Sequence, residues 1–146
     1  MMMKDAHRFY DSRLALLICA CGVIAAGLLL RRYGYMAGLP FVVVKYGGSV
    51  LWGSMVYLLV AAIMPLRKRH LAVALACGLA IAVELLRLVH FPALDAFRAT
   101  TAGALLLGRV FSLWNIACYV VGIMLAAFIV RHVRVRGQPC APVCGP

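Results

Sequence analysis

Four apolar runs recur along this chain, each near the length of a bilayer crossing and each flanked by Lys or Arg. A hydrocarbon core needs about 20 apolar residues in a helix, with roughly 17 as the lower limit. The runs at 14–30, 50–65, 71–89 and 114–130 fit that requirement, the second if it starts near Tyr46. The pattern predicts spanning helices near residues 14–30, 46–65, 71–90 and 114–130. Composition agrees: 66% of the 146 residues are hydrophobic, more than one water-soluble core of this length can hide. No intervening segment is long enough to fold separately. The expected fold is all-α, a polytopic membrane protein with a four-helix transmembrane bundle.

Charge sets the expected orientation. The chain carries 15 Lys and Arg against 4 Asp and Glu. These cations stand at the ends of apolar runs, as topology signals do, rather than on a basic groove for nucleic acid. With the N-terminus inside, the cytoplasmic side holds nine: Lys4, Arg8, Arg13, Arg67, Lys68, Arg69, Arg131, Arg134 and Arg136. The opposite side holds five: Arg31, Arg32, Lys45, Arg98 and Arg109. Arg87 falls within a helix. Both termini are therefore expected in the cytoplasm, with residues 1–13 as an N-terminal segment and 131–146 as a basic Pro/Gly/Cys tail. The first run ends in Arg31-Arg32 rather than a small-x-small cleavage site, so it reads as a retained helix. Ile18-Cys19-Ala20-Cys21 loosely resembles a lipoprotein box, but it falls early in a run that continues apolar.

Two connections are unusually apolar. Residues 33–48 contain Pro40 and Phe41-Val42-Val43-Val44; residues 99–111 contain Ala-Gly-Ala-Leu-Leu-Leu-Gly and are cut by Arg109. Runs of about 10–14 residues are more often re-entrant or interfacial than spanning. Both are expected as short segments of that kind. The alternative makes 99–111 a fifth helix and moves the C-terminus outside.

Cys19, Cys21, Cys77 and Cys118 lie in apolar runs, where thiols behave as small hydrophobes. Cys140 and Cys144 form a C-x3-C pair with no second pair to complete a zinc site. No metal or cofactor is expected.

Chemistry concentrates on few residues. After Asp11 the only carboxylates are Glu84 and Asp95. Glu84 lies about four turns into the third helix, where an unpaired charge costs at least ~2.5–3.5 kcal/mol. Arg87 and His90 follow at i+3 and i+6, within roughly a third of the helix circumference. Pro92 then breaks the helix, with Asp95 and Arg98 beyond it. The expected binding set is Glu84, Arg87, His90, Asp95, Arg98 and Arg109, an outward-facing polar pocket for lipid head groups. The plainer reading is an internal Glu84–Arg87 pair that only fixes packing. On the fourth helix, Asn115, Tyr119, Gly122 and Ala126 form one stripe, a polar packing seam in which Asn115 and Tyr119 supply interhelical hydrogen bonds. Ala74, Gly78 and Ala82 form a small-residue stripe pointing away from Glu84, and Gly22 and Ala26 add another on the first helix. No Gly-x-Ser-x-Gly, His-Asp-Ser arrangement or carboxylate dyad points to catalysis.

Three groups of residues carry a resemblance. They are Leu39-Pro40-Phe41 with Lys45-Tyr46-Gly47-Gly48-Ser49-Val50-Leu51-Trp52; Val83-Glu84-Leu85 with His90, Pro92, Leu94-Asp95 and Arg98-Ala99-Thr100; and Leu107-Gly108, Phe111-Ser112, Trp114-Asn115, Tyr119 and Gly122. Over about residues 14–130 the chain resembles the bacterial inner-membrane family known as domain of unknown function 2809, similar in layout to the VanZ-like proteins. The resemblance implies the four-helix topology and favours Glu84, Asp95 and Arg98 as site residues. The chain departs from the family pattern at Ser49, where an Asp is usual, at Arg87, where a Gln is usual, and at Asn115, where an Asp is usual. Membrane lipids, or lipid-linked envelope precursors, are the expected partners, and the expected role is non-enzymatic. The alternatives are an enzyme on a lipid-linked phosphate and a small proton-coupled carrier with Glu84 as its proton site, the latter opposed by the adjacent Arg87.

Overall fold

The computed structural model describes residues 2–65, 68–100, 103 and 111–136, with side chains described from residue 13 to 133 within those limits. Expectations resting on Arg109, on most of 99–111 and on Cys140 and Cys144 lie outside the described residues. The described chain is helical: α1 (Met2–Tyr33), α2 (Phe41–Ile63), α3 (Arg69–Leu86), the short α4 (Pro92–Ala99) and α5 (Leu113–Arg136). Among the described residues four segments are long and apolar enough to cross a membrane: Arg13–Tyr33, Phe41–Ile63, Arg69–Leu86 and Leu113–Val133. This is the four-helix membrane architecture expected from hydropathy. Large apolar side chains such as Leu17, Leu28, Leu75, Leu79, Met124 and Phe128 face outward, where lipid supplies the apolar solvent.

α1 begins earlier and α5 ends later than the apolar runs, and two further boundaries differ from the sequence reading, each for a local reason. Phe41-Val42-Val43-Val44 opens α2 instead of forming a separate segment. The chain leaves α1 through a tight turn, with Leu39 N–H donating to Gly34 O at 2.9 Å and Gly38 at a φ of 73°. Gly34 is buried there, and a Cβ on it would collide with the Leu30 carbonyl and the Val44 side chain. Pro40 then precedes the first helical residue, and no room remains for a further element. The second difference is the end of α3. The helix stops at Leu86, with Arg87 as its C-cap, rather than continuing to His90. The Arg98 guanidinium reaches back from α4 to donate to Leu86 O and, at 2.8 Å, to Val89 O. It thereby satisfies carbonyls that a helix end leaves open. Pro92, with no N–H to lose, begins α4.

α2 is the hub, packing on α1, α3 and α5, while α3 also packs on α5. The core joins Leu16 and Ala20 of α1, Val56, Tyr57, Leu58, Ala61 and Ala62 of α2, Ala72, Ala76 and Ala80 of α3, and Tyr119, Ile123 and Ala126 of α5. α2 and α5 run parallel, since Ser49 meets Asn115 and Ser54 meets Gly122 at sequence offsets of 66 and 68. They approach closely through glycine: a Cβ on Gly53 would strike the Tyr119 backbone, and one on Gly122 the Val50 carbonyl. Ser54 Oγ fixes this contact by donating to Gly122 O at 2.9 Å. The buried stripe of α3 is Ala72, Ala76, Ala80 and Glu84. Ala74, Gly78 and Ala82 lie on its exposed side, as do Gly22 and Ala26 on α1. These two small-residue stripes therefore face away from the core of the described bundle.

Candidate functional site

The i, i+4 spacing of Ala72, Ala76, Ala80 and Glu84 carries one face of α3 along the bundle core and ends it on a carboxylate. Three alanines bring the α3 backbone close to its neighbours, and Glu84, in the last turn, arrives at the start of α5. Its side chain is fully buried. Because α3 and α5 are antiparallel, the first turns of α5 supply its partners. Ser112 N–H donates to Glu84 Oε1 at 2.7 Å and Asn115 Nδ2 to the same oxygen at 3.3 Å. Tyr119 O–H donates to Oε2 at 3.1 Å, and Arg87 Nη1 pairs with Oε2 at 2.6 Å. A carboxylate has two oxygens and about four acceptor positions. All are used by the protein's own donors.

The donors are themselves bound to one another. Arg87 Nη2 donates to the Tyr119 hydroxyl at 2.9 Å, so Glu84, Arg87 and Tyr119 close a triangle in which that hydroxyl accepts once and donates once. Ser49 Oγ lies 3.3 Å from Asn115 Oδ1 and also 3.3 Å from its own helix's Lys45 carbonyl. The Asn115 amide orientation is thereby consistent, with its oxygen facing a hydroxyl and its nitrogen a carboxylate. Trp52 covers Tyr119 from α2, their ring centroids 4.7 Å apart. The result is a buried polar network joining α2, α3 and α5, with Ser112 at the head of α5 lending the favourable end of a helix to an anion.

The residues singled out from the sequence separate into two groups. Glu84 and Arg87 meet in the network with Asn115 and Tyr119, and Arg87 is only 8% exposed. His90, Asp95 and Arg98 do not reach it. His90 lies past the end of α3 and is exposed, with Nδ1 3.1 Å from Leu88 O, so it is not a third rung above Glu84. Asp95 is exposed on α4 and pairs with Arg98 at 3.1 Å, while Arg98 is buried as the cap of α3. Sequence reasoning missed Ser49, the Ser112 N–H and Trp52 as members. The available signal was Ser49 itself, a hydroxyl within an apolar helix, together with the alanine spacing that leads to Glu84. Ser49, Arg87 and Asn115 all fall on this one network. Among the described residues no group of three or more His, Cys, Asp or Glu could hold a metal ion.

A family model described as a protein of unknown function, DUF2809, matches residues 38–123. The matched stretch starts in the turn before α2 and ends at Ile123 in α5, so it contains every member of the network and leaves α1 outside. No curated protein and no solved structure matches the chain. With more than half of its length matched, the chain belongs to the DUF2809 family.

Proposed function

We propose that this is a non-enzymatic membrane protein of the bacterial cell envelope, lying in the inner membrane, whose α3–α5 end engages lipid head groups or envelope glycolipids. One observation carries the reading: every acceptor position of Glu84 is filled from within. A general base or a proton site needs a lone pair that a substrate or water can reach. Glu84 offers none, so the network acts as a scaffold. It fixes the ends of α2, α3 and α5 and so presents the polar groups around them.

Those groups are chemically suited to a head group. Arg31 and Arg32 end α1, and Lys45 sits one turn into α2, its ammonium 5.5 and 5.3 Å from the Phe41 and Tyr46 ring centroids. His90 and Asp95 are exposed beside the α3–α4 corner. Basic groups suit a phosphate, and Asp95 with His90 suits hydroxyl or amino groups. Of the residues expected as a pocket, His90 and Asp95 belong to this rim, Arg98 is buried as the cap of α3, and Glu84 with Arg87 supports the rim from beneath. The Lys/Arg count of nine against five supports a topology with this end outside and both termini in the cytoplasm.

The test is a triple variant, R31Q/R32Q/K45Q, which leaves the network untouched. Native mass spectrometry of purified protein should show lipid adducts on the wild type that are depleted in the variant. Equal lipid content in the two would overturn the reading.

A further inference from the structure

The opposite end of the bundle presents a different problem. Arg69, the first residue of α3, has both terminal guanidinium nitrogens shielded from solvent and without a hydrogen-bond partner among the described residues. An arginine stays charged under all ordinary conditions, and desolvating its donors without an acceptor is unfavourable. At the same end Arg13 Nη2 donates to Ile63 O at 3.4 Å, and Lys68, His70 and Arg131 are exposed. The two carboxylates with described side chains, Glu84 and Asp95, lie at the other end. The remaining two acids, Asp5 and Asp11, stand in sequence on this side against nine Lys and Arg, so they cannot neutralise it.

We propose that Arg69 anchors a binding site for the phosphodiester of an anionic phospholipid. The guanidinium fork matches two phosphate oxygens, neither terminal nitrogen has an acceptor among the described residues, and on binding the half-buried side chain turns its fork outward to meet the head group. The surrounding cations select a head group with net negative charge over a zwitterionic one. The site is separate from the rim at the Glu84 end and does not depend on it.

Purified full-length protein in detergent, titrated with phosphatidylglycerol or phosphatidylcholine and read by native mass spectrometry, tests this directly. The wild type should retain phosphatidylglycerol in preference to phosphatidylcholine. R69Q should weaken that retention roughly tenfold, and R69K, which keeps the charge but not the fork, should fall between. R31Q/R32Q/K45Q should keep the Arg69-dependent preference, which separates failure here from failure at the other end. Equal retention of the two lipids by the wild type would overturn the proposal, as would an unchanged preference in R69Q. If R69Q does not fold, an R69K protein with wild-type preference would overturn it too. Inorganic phosphate raising the unfolding temperature through Arg69, with no lipid preference, would identify a free anion instead and also overturn it.

Discussion

At one end of this bundle a buried anion has four donors; at the other, a shielded guanidinium has no acceptor at its two terminal nitrogens among the described residues. Both groups lose hydration, and the loss is met differently. Glu84 is satisfied by the chain, through contacts that require α2, α3 and α5 to be in register. Its contribution is therefore to the fold. Arg69 depends on what surrounds the protein, and its contribution is to binding. Removing the first should loosen the bundle and leave lipid selection at Arg69 intact, and removing the second should do the reverse.

The largest effect is expected from E84L, which leaves Arg87 buried without its counter-ion and strips three further donors of their acceptor. A loss of about 3–5 kcal/mol is expected, measured by reversible unfolding in mixed micelles. A loss below 1 kcal/mol would erase the contrast between the two ends. G122V comes next, since its side chain would be driven into the Val50 carbonyl. Overpacking of this kind costs about 1–3 kcal/mol, and unchanged stability would mean that α2 and α5 are not in close contact. Y119F keeps the ring against Trp52 and removes both hydroxyl contacts, for a loss of about 0.6–1.7 kcal/mol. The smallest change belongs to R69Q, whose unfolding free energy in lipid-free micelles should stay within about 0.5 kcal/mol of the wild type. A larger drop there would make Arg69 a structural residue and remove the asymmetry.

Much of the fold was legible in the sequence because hydropathy depends on run length and composition, which need no partner. The start of α2 was not. Lys45 falls just before the helix expected over 46–65, yet the helix opens at Phe41, and Lys45 is exposed on its first turns with its ammonium near two aromatic rings. The end of α3 was equally hidden, because it is set by Arg98 reaching back 12 residues to a carbonyl. Glu84 was conspicuous as a lone acid in an apolar run, and Arg87 followed from helical spacing. The other partners of Glu84 lie 28 to 35 residues away, at Ser112 just before α5 and on its first turns. That pairing depends on the rotation of two helices about their axes, which the pattern of one helix does not specify. The two small-residue stripes of α3 make the same point. Ala72-Ala76-Ala80 and Ala74-Gly78-Ala82 are nearly equal as sequence, and only the first faces the core.

The most direct measurement is a double-mutant cycle between Glu84 and Arg87, using E84Q, R87Q and the double variant and read as unfolding free energy in micelles. If the carboxylate is held by its own cation inside the bundle, the two substitutions should be coupled by at least about 1 kcal/mol, the double variant losing less than the sum. Additivity within about 0.3–0.5 kcal/mol would show that the two side chains do not act on each other, and the scaffold would have no basis.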